Sequence, residues 1–271
     1  MESLCRDLRE EHESLDGMVA PLAETDWDRT TPFGDWTIRD EIIHLAYFDG
    51  TARLSATDGA AFARHVEELI KNYSHFEADY LSAGRSISSS NLLTRWRDDR
   101  EALLGALTTI DPKQRLPWYG PPMSARSFVT ARLMETWAHG QDVADALERE
   151  RPATDRLRHV AHIGVTTFGW SYANRGMAVP NVSVRVELMS PGGEQWSWGV
   201  VDAKDTVRGE TLDFCLVVTR RRHVEDTNLV TTGDVAHEWM RLAQAFAGPP
   251  EMGPEPGRFR KDGADSVKQN A

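Results

Sequence analysis

The stretch Met134-Glu135-Thr136-Trp137-Ala138-His139-Gly140-Gln141-Asp142 places a carboxylate and an imidazole four residues apart. On a helix, positions i and i+4 lie one above the other on a single face, so Glu135 and His139 form half of a candidate metal site. His44, in Asp35-Trp36-Thr37-Ile38-Arg39-Asp40-Glu41-Ile42-Ile43-His44-Leu45, offers a third ligand. Two imidazoles and one carboxylate leave a coordination position open, which is how a catalytic divalent metal is held. An ordinary surface pair and a hydrogen-bonded core histidine satisfy the same spacing. The setting favours burial: Met134, Trp137 and Ala138 flank the pair, and Ile42, Ile43 and Leu45 flank His44. Buried polar groups need partners.

Outward from these two stretches, the first half of the chain reads as helices. Leu4, Leu8, Leu15, Met18, Val19 and Leu22 recur at helical steps between charged residues. Thr37 with Asp40 is a capping-box signature that starts a helix running to about Thr57. Residues 60–82 read as one further helix. Leu92 to Leu107 reads as another, and the next carries Phe128, Glu135, His139 and Leu147. From about residue 180 the period changes to two. Val182, Val184, Val186 and Leu188 alternate with polar residues, Pro191-Gly192-Gly193 turns the chain, and Trp196 and Trp198 alternate again as a hairpin. Leu212 to Val218 reads as helical, Asn228 to Thr231 as a short strand, and Asp234 to Ala247 as a closing helix. The expected architecture is a mainly α domain over residues 1–175, a four-helix bundle with additions, followed by a small α+β domain over 176–250. Residues 251–271 are Pro/Gly-rich and then polar, which predicts a disordered tail.

The formal charge of −11 and the lack of any run of five or six basic residues argue against nucleic acid or an anionic membrane as partner. No apolar run reaches the roughly 18 residues that a membrane span needs. The two cysteines, Cys5 and Cys215, form no CxxC arrangement, so neither a disulfide framework nor a cysteine zinc site is expected. A cytoplasmic protein acting on small molecules, as monomer or homodimer, is the expectation. Asp142, three residues beyond His139, is placed to orient that imidazole as a hydrogen-bond acceptor, and Asp40 stands one turn before His44. Trp36 and Trp118 sit in loops beside these elements and are expected to line a binding pocket.

The pattern Trp36-Thr37-x-x-Asp40-x-x-x-His44-Leu45, with Glu135-x-x-x-His139-x-x-Asp142 downstream, resembles the mycothiol-dependent maleylpyruvate isomerase family of the DinB-like superfamily. The stretches Gly120 to Ser124 and Leu133 to Val143 resemble an uncharacterised metal-binding subfamily within it. The resemblance covers nearly the whole chain. It implies a DinB-like four-helix bundle that binds a divalent metal, usually Zn2+, through His44, Glu135 and His139, and a C-terminal domain like sterol carrier protein 2. It further implies that an arginine near Arg220, Arg221 and Arg222 binds a substrate carboxylate; a solvated basic run is the alternative.

The chemistry expected from this set is a metal- and thiol-dependent enzyme with mycothiol as cosubstrate. The open position lowers the pKa of a thiol, so that a thiolate attacks a small electrophile without any cysteine of the protein. Retention of the sulfur makes an S-transferase, and its departure after bond rotation makes a cis–trans isomerase. A metal-hydroxide hydrolase and a non-catalytic ligand carrier are the alternatives.

Overall fold

Thr37 starts the helix that carries the site as its spacing predicts. In the computed structural model, which describes residues 1–259, Thr37 Oγ1 accepts from the Asp40 N–H at 3.3 Å and Asp40 Oδ2 accepts from the Thr37 N–H at 2.9 Å. Two donors at the start of the helix are thereby satisfied reciprocally. Contacts divide the chain into two units, Met1–Arg151 and Pro152–Ala271.

The first unit contains α1 (Glu2–Val19), α2 (Ile38–Thr57), α3 (Gly59–Lys71), α4 (Phe76–Arg85), α5 (Ser89–Thr108) and α6 (Ala125–Ala146). α2 packs on α5 and α6, and α1 packs on α5 and α6, which closes a four-helix bundle. Leu15, Val19, Trp27, Ile38, Ile42, Leu45, Leu92, Trp96 and Val143 meet in its core. α3 and α4 are additions on α2. The single helix expected over 60–82 is two, because α3 ends at Lys71 and a 3-10 turn over Tyr73–His75 redirects the chain. α4 approaches α2 closely at Gly84, where a Cβ would stand 2.5 Å from Ile43 Cγ1. That approach carries Tyr80 to the site. Two short strands, β1 (Arg115–Leu116) and β2 (Met123–Ser124), pair antiparallel and deliver the chain to Ser124, whose hydroxyl caps α6.

The second unit contains α7 (Leu157–Thr166), α8 (Phe168–Ala173), β3 (Val184–Met189), β4 (Gln195–Trp198), β5 (Asp205–Glu210), α9 (Thr211–Val218), β6 (Val230–Thr232) and α10 (Asp234–Leu242). Its sheet has the order β4-β3-β5-β6, with β3 and β5 parallel and the outer pairs antiparallel. The expected hairpin is present, with Leu188 opposite Trp196 and Val186 opposite Trp198. Sequence reading missed β5, because Asp205-Thr206-Val207-Arg208-Gly209-Glu210 offers one large apolar side chain, Val207. It set the boundary after residue 175, whereas α7 packs on α9, and α8 on α10, so both belong with the second unit. The closing helix stops at Leu242 rather than Ala247: Ala243 turns to an extended backbone, and the Ala245 N–H donates to Val218 O. Its start is capped from afar by Asp205 Oδ1, which accepts from the Ala236 N–H at 3.0 Å. Gly233, at φ 87°, leaves room for that carboxylate, since a Cβ there would stand 2.4 Å from Asp205 Oδ1.

Residues 251–259 form neither helix nor strand, but the Gly257 and Phe259 N–H groups donate to the Asp226 carboxylate. The remainder of the expected disordered tail, 260–271, lies outside the described residues. No helix among the described residues is long and apolar enough to cross a membrane.

Candidate metal centre

Packing of α2 on α6 brings His44, Glu135 and His139 together, with one ligand atom from each lying within 4.8 Å of the others. Glu135 Oε2 is 3.7 Å from His44 Nε2 and 3.4 Å from His139 Nε2. Two ligands each about 2.1 Å from one ion at a tetrahedral angle stand about 3.4 Å apart, so these separations fit a zinc-sized ion. Each imidazole has its other nitrogen engaged: His44 Nδ1 lies 3.2 Å from Tyr80 Oη, and His139 Nδ1 donates to Glu41 Oε2 at 2.6 Å. Glu41 is anchored in turn by Thr31 Oγ1, which donates to its Oε1 at 2.6 Å. With each Nδ1 engaged, Nε2 is the ring nitrogen left facing Glu135 and available to a cation.

Around these groups stands an aromatic collar. Trp36 stacks on His139 at 5.8 Å and 17° and tilts against His44 at 5.3 Å, Phe33 meets His139 edge-on at 5.4 Å, and Phe48 lies 4.6 Å from His44. The electrostatics follow from this enclosure. Burial and the charge of His139 push the His44 imidazole down to about 4, so it is neutral at pH 7. Burial works to raise Glu135, but the two facing imidazoles outweigh it and hold the carboxyl well below the ordinary range. Burial and the neighbouring charge of Asp142 push Glu41 up to about 7, against the pull of His139.

Glu41, His139 and Asp142 form a second, fully buried cluster on the far side of the same imidazole. The 2.6 Å separation of Glu41 and His139 is that of a hydrogen bond, too short for two ligands on one ion. Asp142 was expected to orient His139; its Oδ2 stands 3.7 Å from Nδ1, and the closer acceptor is Glu41. Asp40 faces away and pairs with Arg85 at 2.7 Å, so it does not serve His44. Sequence reading missed Glu41, Tyr80 and Thr31. Glu41 carried a usable signal, an acidic residue one turn before His44 among Ile38, Ile42 and Leu45.

Of the two tryptophans, Trp36 touches both histidines, whereas Trp118 lies one residue removed, 6.2 Å from Phe48, which in turn meets His44. The arginine run is not a solvated one: Arg220 and Arg221 are buried. Arg221 Nη1 donates to Thr219 O, and the Arg222 guanidinium lies 3.8 Å over the Phe259 ring, all within the second unit.

The sequence model of the mycothiol maleylpyruvate isomerase N-terminal domain matches residues 8–144, which include all three candidate ligands. Two uncharacterized proteins from two strains of Mycobacterium tuberculosis are each 44% identical over 247 residues, covering 91% of this chain and 96% of theirs. Among solved structures, mycothiol-dependent maleylpyruvate isomerase is similar at a TM-score of 0.55, and its histidine-to-alanine mutant at 0.57. Both are 12% identical and cover 85% of this chain and 92% of their own, a likeness of fold. The chain belongs to the family of the mycothiol maleylpyruvate isomerase N-terminal domain.

Proposed function

We propose that this chain is a divalent-metal-dependent enzyme of the S-transferase type that uses a low-molecular-weight thiol, mycothiol, against a small electrophile. The observation that carries the reading is the convergence of two Nε2 atoms on the Glu135 carboxylate while both Nδ1 atoms are held by other residues. A Zn2+ ion held by His44, Glu135 and His139 supplies an open position and the positive charge that lets a thiol give up its proton near neutral pH.

The chain's own groups do the rest. Glu41 and Tyr80 fix the two imidazoles, so that ligand geometry is set before a cation arrives. Trp36, Phe33 and Phe48 shield the ligand face from water, which strengthens electrostatics there. Neither cysteine competes as nucleophile. Cys5 and Cys215 are both buried, and burial raises both thiol pKa values. An external thiol is therefore the reading that matches this chemistry.

A second outcome, cis–trans isomerisation with departure of the sulfur, is favoured by the family match and by the name of the similar solved structures. Product analysis separates the two: a stable thioether marks the transferase, and recovery of free thiol with an isomerised product marks the isomerase. Elemental analysis tests the shared premise. Wild-type protein is expected to carry about one zinc-class ion per chain and His44→Ala far less. Equal metal in both, or none in wild type, removes the premise.

A further inference from the structure

A cavity of about 200 Å³ lies within the second unit, walled by Val165 of α7, Phe168 of α8, Ser183 and Val184 where β3 begins, Val200 beyond β4 and Trp239 of α10. Val200 is 58% exposed, so the cavity opens to solvent. Exposed apolar side chains gather beside that opening: Val182 and Val201 adjoin Ser183 and Val200 in the chain, and Val179 stands against the α8 backbone at Gly169. Such patches on a protein surface mark binding sites. Trp239 is the best covered of the walls. It is 1% exposed, and Phe168 and Phe214 meet its ring edge-on at 5.2 and 5.9 Å. Its Nε1 is buried and has no hydrogen-bond acceptor.

An indole N–H is a donor only, and burying it unpaired forfeits its hydration with no bond in return. Buried indoles usually find a partner. Among the lining side chains the Ser183 hydroxyl is the one other polar group, and no charged residue lines the cavity. An ionised ligand would therefore lose its water without a countercharge to replace it, a penalty that a neutral molecule avoids. Size narrows the class further. An apolar cavity of roughly 150 Å³ takes up benzene, so the space here suits one ring with a short substituent rather than a long acyl chain. A carbonyl oxygen on that substituent is the acceptor that Trp239 lacks. With no titratable group in its walls, the cavity is built to bind rather than to transform.

We propose that this cavity is a binding site for a small, neutral, single-ring molecule whose carbonyl oxygen accepts from Trp239 Nε1. The inference is independent of the thiol-dependent reading: every residue it uses belongs to the second unit, and every candidate metal ligand to the first.

The test is made on the full chain, isotope-labelled so that NMR reads each tryptophan indole N–H. Four probes separate the features of the ligand: methyl benzoate has ring and carbonyl, toluene lacks the carbonyl, benzoate is charged and 1-decanol is long. W239F keeps a ring and removes the donor, and its missing signal assigns Trp239. V200W places an indole at the opening, at a position exposed enough to accept it. Methyl benzoate is expected to move the Trp239 proton downfield and saturably, and toluene to bind about threefold or more less tightly. V200W should weaken methyl benzoate about tenfold, and W239F should bring its affinity down to that of toluene, with the other indole signals in place. Should W239F not fold, the toluene comparison and V200W carry the test. An unmoved Trp239 signal, a folded W239F that binds methyl benzoate as wild type does, or tighter binding of benzoate or 1-decanol overturns the proposal.

Discussion

His139 Nδ1 and Glu41 Oε2 stand 2.6 Å apart, a buried hydrogen bond between α6 and α2 that fixes which nitrogen of the imidazole faces Glu135. The candidate metal site is thus built across two helices twice over, once by the residues that could hold a cation and once by the acceptor behind them.

Glu41→Gln keeps the shape of that acceptor and removes its charge. Metal affinity is expected to fall roughly 10- to 100-fold, with the fold retained, since partners behind a ligand imidazole commonly have that effect. Competition with a chelator measures it. An unchanged affinity would reduce Glu41 to a core residue.

Gly84→Ala should act at a distance. Its Cβ would meet Ile43 side-chain atoms at 2.5–2.7 Å, so α4 must move off α2, taking with it Tyr80 and its contact to His44 Nδ1. We expect a loss of about 1–3 kcal/mol of stability, the usual cost of overpacking, together with weaker metal binding. Urea unfolding and metal titration on one preparation read both, and a loss of stability alone would detach Tyr80 from the site.

Asp49 makes a prediction about acid. Burial works to raise its carboxyl, but Arg132 and His12 outweigh it and hold it near about 2, against an ordinary 3.8. A folded pKa below the unfolded one means that the native state binds fewer protons. The contribution is therefore fully present above about pH 4 and is lost as pH falls towards 2, amounting to roughly 2 kcal/mol. Between about pH 6 and about pH 2, wild type should lose roughly that much more unfolding free energy than D49L/R132M. Parallel pH profiles would show that the pair contributes nothing to acid stability.

Those parts of the fold that rest on local chemistry were legible in the sequence. Thr37 and Asp40 announced the start of α2, and Glu135 and His139 announced a shared face because both lie on one helix. His44 was within reach because its own helix was readable. What escaped depends on contacts between distant elements. Glu41 is separated from His139 by 98 positions, and Tyr80 from His44 by 36. Asp142 looked like the acceptor for His139 because it is three residues away; packing supplied a closer one. β5 escaped because hydrogen bonds to β3 and β6, rather than an apolar pattern, make Asp205–Glu210 a strand.

If His44, Glu135 and His139 hold a divalent cation that activates an external thiol, thiol binding depends on the metal. Calorimetric titration of mycothiol into zinc-loaded and metal-stripped protein addresses it directly. Saturable binding of about one thiol per chain to the loaded protein, with release of a proton, is expected, and none to the stripped protein. Equal binding to both forms, or binding to the loaded form without proton release, would contradict it.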